Sequence, residues 1–156
     1  MLNQNVKFAR AETCLIMEPM HSNIHGNVHG GELMKMMDNT AGIAAAKQAK
    51  GLVVTARVDE IEFHQSVNVG NIVTVVAQVC YVGRSSIQVQ VNVYVHDIEN
   101  YTEPIRALSA FFTMVHIKDG KPTLVNPLVI TNDEERVLYE LGEKKYNEIQ
   151  AKKVKK

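Results

Sequence analysis

The sequence predicts an α+β domain in which one long helix lies against a curved antiparallel sheet. Three observations lead there. Residues 52–117 hold four long β-branched runs with no helix between them, so no strand–helix–strand unit is present to build a parallel sheet. One apolar helical pattern precedes these runs, and a second, charged one follows. The length of 156 residues suits a single domain with a substantial core, read as a folded unit over 1–130 and a C-terminal helix with a lysine-rich tail over 131–156.

Each element has its own signal. Ala11–Met17 reads as a first strand, ended before Pro19. Gly31–Lys50 reads as the main helix. Leu33, Met37, Ala41 and Ala44 recur at helical spacing, the run of small residues around Ala44 lets the helix lie close to a sheet, and Gly51 stands where a C-terminal glycine is expected. Leu52–His64, Asn71–Val82, Ile87–His96 and Ile105–Ile117 follow as strands; from Ile87 to His96 apolar and polar residues alternate without a fault. Val69-Gly70-Asn71 and Val82-Gly83-Arg84-Ser85 read as turns, which makes the later strands hairpin-linked neighbours. Thr131 reads as the cap of the last helix, with Glu134 three residues on. A sheet of this kind leaves an edge strand to be covered, and a second copy of the chain supplies a partner edge.

Composition narrows the function classes. Lys plus Arg and Asp plus Glu both number 17, so the molecule as a whole has no electrostatic pull toward nucleic acid or an anionic membrane. The balance is uneven along the chain: residues 143–156 hold six lysines against two glutamates. Such a run reads as a solvated helix end. Near-zero charge with 46% hydrophobic residues favours an oligomer with buried faces. The two cysteines fit no metal or disulfide framework, and no apolar run is long enough to span a bilayer; the expected setting is the cytoplasm.

The densest chemistry lies in His21-Ser22-Asn23-Ile24-His25-Gly26-Asn27-Val28-His29-Gly30-Gly31, running into the main helix. The glycines permit close approach of a ligand, and a helix start offers free N–H groups for an oxyanion or polarised carbonyl. Without a ligand the same stretch is simply a turn-rich loop. His21, His25 and His29 recur every four residues, but Gly26 and Gly30 break the helix that would align them, so no metal is expected. Asp38 stands in the apolar stripe of the helix, with Met34, Ala41, Gly42 and Ala45 around it. A carboxylate there needs a hydrogen-bond partner or a cleft. It lies eight residues past Gly30, about 12 Å along the axis, too far for both to act on one atom within a chain. Two helices related by a two-fold axis bring them together. No nucleophile-elbow or phosphate-loop pattern is present; Gly83-Arg84-Ser85-Ser86 offers a weak phosphate-binding turn.

The stretches His25-Gly26-Asn27-Val28-His29-Gly30-Gly31, Leu33 to Asp38, Val58 to Phe63 and Val82 to Ile87 resemble those of hotdog-fold acyl-CoA thioesterases of the cytosolic acyl-CoA hydrolase group. The similarity runs from about Ala11 to Pro127. It implies a five-stranded antiparallel sheet wrapped around the long helix, and hydrolysis of fatty acyl-CoA to fatty acid and CoA with no cofactor. It gives Asp38 the role of base or nucleophile and Asn27 that of holding the water or carbonyl. His29, Gly30 and Gly31 would bind the thioester, and Gly83, Arg84, Ser85 and Ser86 the CoA phosphates. It further implies a homodimer with shared sites, gathered as a trimer of dimers. A phenylacetate-type aryl-CoA thioesterase and a non-catalytic acyl-CoA or nucleotide-binding hotdog module are the alternatives.

Overall fold

The structure, a computed structural model, describes residues 5–99 and 103–155. Its elements are β1 (Arg10–Ile16), a 3-10 turn (Pro19–His21), α1 (Gly30–Ala49), β2 (Val53–Phe63), β3 (Ile72–Val82), β4 (Ser86–His96), β5 (Ile105–Lys118), β6 (Lys121–Pro122) and α2 (Asp133–Val154). The long strands form one antiparallel sheet in the order β1-β3-β4-β5-β2, with β6 folded back on β5.

Alternation builds the core. Val73, Val75, Ala77 and Val79 of β3, Ile87, Val89, Val91 and Val93 of β4, and Leu108, Ala110, Phe112 and Met114 of β5 share a buried cluster with Leu33, Met37, Ala41, Ala44 and Ala45 of α1. The helix touches all five long strands, as the alanine-rich stripe requires. Each fully buried valine contributes about 1.5–3 kcal/mol relative to exposure.

The sheet order corrects one reading of the turns. β2 pairs with β5 at one edge, while β3 lies beside β1, so residues 64–71 cross beneath the start of α1 rather than closing a hairpin. There the Val28 N–H donates to Val67 O at 2.8 Å and Val67 is buried. The Gly83 turn does join β3 to β4 as a hairpin. Both helix caps also move by one residue. Lys50 itself takes the left-handed conformation, φ 56°, and its N–H bonds Ala46 O, whereas a Cβ on Gly51 would stand 2.7 Å from His116 Nε2. Gly51 thus serves close packing. The cap of α2 is Asn132, whose side chain accepts from the Glu135 N–H; Thr131 instead donates its N–H and hydroxyl to Glu135 Oε2.

α2 lies on the outer face of the sheet, mainly over β3. Gly142 allows the approach: a Cβ there would stand 2.6 Å from Tyr81 Cβ and 2.8 Å from Cys80 Sγ. Tyr81 meets Tyr139 and Tyr146 at ring distances of 5.1 Å. The expectation of a merely solvated lysine tail fails at Lys145, whose buried side chain pairs with Glu60 of β2 and Glu148 and sits over the Phe111 ring. Glu60 occupies a bulge of β2 with φ 53°. Lys156 lies outside the described residues.

Candidate active site

The loop before α1 is a small ordered hairpin. Ser22 bridges Val28, the Asn23 N–H donates to Asn27 O at 2.8 Å, and Gly26 turns the chain with φ 82°. Asn23 is its hub. Its Oδ1 accepts from the His25 N–H at 2.9 Å and the Asn27 N–H at 3.3 Å. Asn27 bridges Asn68 through the backbone, and its side-chain amide makes no hydrogen bond among the described residues.

The start of α1 divides the two glycine donors. His29 caps the helix by accepting the Gly31 N–H on Nδ1 at 2.9 Å. The Gly30 N–H makes no hydrogen bond among the described residues, and Gly30 lies against Phe63, whose ring would be 3.3 Å from a Cβ there. The helix start therefore retains an open donor at Gly30, not at Gly31. The three histidines do not converge: the backbone N–H of Glu18 donates to His21 Nδ1 at 2.9 Å, His29 caps the helix and His25 is exposed.

Asp38 is half-buried, two turns into α1. Its Oδ1 accepts from the Thr55 hydroxyl at 2.5 Å, the cross-element partner that a carboxylate in an apolar stripe requires. Thr55 stands on edge strand β2 beside a register shift, and its hydroxyl also lies 3.5 Å from Met114 Sδ. One carboxylate oxygen is thereby fixed, and the other is not engaged by any hydrogen bond among the described residues.

Arg84, Ser85 and Ser86 sit at the opposite end of the molecule from Gly30. The end of α1 packs there: Gln48 donates to Asn126 O, Val125 N–H to Arg84 O, and His116 N–H to Ser85 O. A helix of 20 residues spans about 30 Å. One chain thus keeps Gly30, Asp38 and Arg84 apart along α1. Gly83 is needed for packing, since a Cβ there would stand 2.9 Å from Tyr146 Cε2. His64 and His116 bond Ser109 and Leu124 O, ordinary strand-associated roles. Two polar residues that the structure singles out, one bonded to Asp38 and one organising the loop, are not marked by the sequence pattern. Thr55 looked like any strand threonine, and Asn23 was masked by the neighbouring Asn27.

Residues 25–101 match the family model described as the thioesterase superfamily. An uncharacterized acyl-CoA thioester hydrolase of Zymomonas mobilis is 36% identical over 131 residues, covering 83% of this chain and 85% of that protein. The chain belongs to the thioesterase superfamily. The hotdog architecture expected from the resemblance is the one observed, and with it goes similarity to the cytosolic acyl coenzyme A thioester hydrolase of Rattus norvegicus, 35% identical over 95% of this chain. The chain spans 39% of the length of that relative. Among solved thioesterases, the acyl-CoA hydrolase of Staphylococcus aureus, in complex with butyryl coenzyme A, coenzyme A and coenzyme A disulfide, superposes with a TM-score of 0.85 at 30% identity, covering 95% of this chain and 90% of that one. Alanine mutants of that enzyme were made at an aspartate, at a threonine 17 positions after it and at an asparagine 15 positions before it. Thr55 and Asn23 stand at those separations from Asp38.

Proposed function

We propose that the chain hydrolyses fatty acyl-CoA thioesters to the free acid and CoA, at sites shared between two copies. The observation that carries this is the Asp38–Thr55 hydrogen bond, which holds a helix carboxylate at the open edge of the sheet. Thr55 fixes Oδ1; the other oxygen takes the proton of an attacking water, or attacks the thioester carbon itself. In the first route the proton passes to the departing CoA sulfur and the acyl carbon keeps the hydroxyl. In the second, a transient anhydride on Asp38 is cleaved by water to the same products.

The acyl carbonyl needs donors, and those on the same chain lie about 12 Å along α1. A second copy, related by a two-fold axis, offers the partner's Gly30 N–H at its helix start and the partner's Asn23 amide. The family resemblance gives Asn27 the latter role; the matching separations in the Staphylococcus aureus enzyme favour Asn23. The edge of β2 that no strand covers among the described residues, with Val54 and Phe63 exposed on it, is the surface on which two copies join. Solved neighbours described as hexameric support a trimer of such dimers here. Among the described residues no helix is long and apolar enough to cross a membrane, and cytosolic relatives support a cytoplasmic setting.

A thiol-release assay across acetyl- to palmitoyl-CoA, with phenylacetyl-CoA beside them, tests the proposal. Release from straight-chain substrates is expected. Tight CoA binding without release from any thioester would replace the enzyme by a binding module.

A further inference from the structure

Between Val58 and Phe63 strand β2 carries an extra residue. Asp59 stands opposite Phe111 and Glu62 opposite Ser109, so Glu60 and Ile61 together face Ala110. Alternation is interrupted there: Val58 and Ile61 pack against the core around α1, whereas Glu60 follows Asp59 on the outer face, beside Glu62, Ser109 and Phe111. The consequence falls on Phe63. It stands opposite Leu108, a fully buried core residue, and so lies on the inner face with its ring against Gly30. Strict alternation from Val58 would turn residue 63 to the outer face. The bulge brings that ring to the helix start with the open N–H.

Glu60 has the left-handed backbone conformation, φ 53°, which strains a non-glycine residue and persists only where the surroundings hold it. One contact is placed to do so. α2 turns Gly142, Lys145 and Ile149 toward the sheet, and Lys145 crosses above the Phe111 ring, 5.5 Å from its centroid, to the Glu60 carboxylate. Its second partner is Glu148 at 3.0 Å. The ammonium is buried while both carboxylates reach solvent. A buried ammonium stripped of its carboxylates is costly, so this pair resists opening in a way that an exposed pair does not.

We infer that Lys145 is a positioning residue for thioester hydrolysis: by holding Glu60 in the bulge, it sets Phe63 beside the Gly30 donor from the opposite side of the sheet. The inference rests on the acyl-CoA reading for what that donor does. In a two-fold dimer β2 supplies Thr55 to one shared site and Phe63, with Gly30, to the other. A slip of the strand beyond Glu60 therefore disturbs the half of the site that polarises the carbonyl and leaves the Asp38–Thr55 half in place. α2 thereby acts on the reaction without touching the substrate.

The test measures kcat and KM for butyryl-CoA in Lys145→Met, Glu60→Gly and the double variant. Methionine keeps an apolar stem over Phe111, and the released Glu60 and Glu148 are both solvated. Lys145→Met is expected to lower kcat about tenfold or more with KM little changed, as for a misplaced group that acts in the transition state. Glycine adopts φ 53° without being held, so Glu60→Gly should lose far less than Lys145→Met, and adding it to Lys145→Met should restore most of the lost rate. Unchanged kcat in Lys145→Met overturns the inference. So does a loss that Glu60→Gly does not relieve, since a helix that merely needs Lys145 to dock gains nothing from a glycine on β2. A second readout is independent of hydrolysis. The chain has no tryptophan, and Phe63 is 58% exposed, which leaves room for an indole in Phe63→Trp. Its emission should shift in the Lys145→Met background and return when Glu60→Gly is added. The same emission with and without Lys145 overturns the positioning role, whether or not the chain hydrolyses anything. Absence of thiol release with the emission shift intact leaves the Lys145 clip standing and overturns the acyl-CoA reading.

Discussion

Asp38 of α1 and Thr55 of β2 are joined by a 2.5 Å hydrogen bond that ties the middle of the central helix to the edge strand. It fixes the orientation of the one carboxylate in the apolar stripe of α1, and it does so from the strand on which a second copy would pair. A hydrogen bond to a charged group is worth about 1.5–3 kcal/mol, and about 1.4 kcal/mol is tenfold in rate. Thr55→Ala is accordingly expected to lower kcat by roughly ten- to a hundredfold while thermal unfolding changes little, and Thr55→Ser to retain most of the activity. Turnover of Thr55→Ala at the wild-type rate would show that the bond does not position the carboxylate.

Sharing of the site between copies is tested by complementation. Asn23→Ala and Asp38→Ala subunits, each nearly inactive alone, should regain activity when combined, because a mixed dimer holds one site with both residues intact. About half of the dimers in a random mixture are of this kind, and each carries one intact site in two, so recovery of roughly a quarter of wild-type activity is expected. No recovery in verified mixed dimers contradicts a shared site. Asn27→Ala should be milder than Asn23→Ala, since the Asn23 side chain also organises the hairpin.

The fold was legible where physics is local. Alternation from Ile87 to His96 and the stripe of Leu33, Met37, Ala41 and Ala44 became the two faces of the core, since burial follows periodicity. Strand order was less legible. Residues 64–71 carry turn chemistry at Gly70, φ 92°, yet span the sheet from β2 to β3, and nothing local distinguishes a hairpin from a crossover. Within the site, Asp38 stood out as a charge in an apolar stripe. Thr55 did not, because threonine is an ordinary strand residue and only the β2–α1 packing shows what its hydroxyl meets. The role of Lys145 was hidden for the converse reason: in a lysine-rich run nothing marks the one that is buried against Glu60.

Acid stability depends on Glu135. Its buried carboxylate accepts from the Lys7 N–H at 2.8 Å, and from the Thr131 N–H and hydroxyl at 2.7 and 2.9 Å, tying the N-terminal segment to α2. The Lys7 and Thr131 backbone donors hold the carboxyl below its ordinary value, against the effect of burial. Its contribution is therefore present above the unfolded carboxylate pKa of about 4.3 and is lost as pH falls through the lower folded value. Denaturant midpoints should fall for the wild-type chain below about pH 4.3, and the fall should be shallower in Glu135→Gln. Identical pH profiles for the two would remove Glu135 from this role.

Docking of α2 depends on the absence of a side chain at residue 142. Alanine there gains up to about 1 kcal/mol of helix propensity but drives a Cβ into Cys80 and Tyr81, and overpacking of this kind costs about 1–3 kcal/mol. Gly142→Ala is expected to lower the melting temperature by several degrees, by scaling for a domain of this size. An unchanged or raised melting temperature would mean that the helix shifts away freely.

Whether Asp38 carries out thioester hydrolysis is measured by thiol release from a range of acyl-CoAs by the wild-type chain and by Asp38→Asn, with assembly checked by light scattering. The structure predicts release by the wild-type chain and its loss, by about a thousandfold or more, in a variant that assembles normally, as when a nucleophile or general base is removed. Near-wild-type turnover by Asp38→Asn would contradict it.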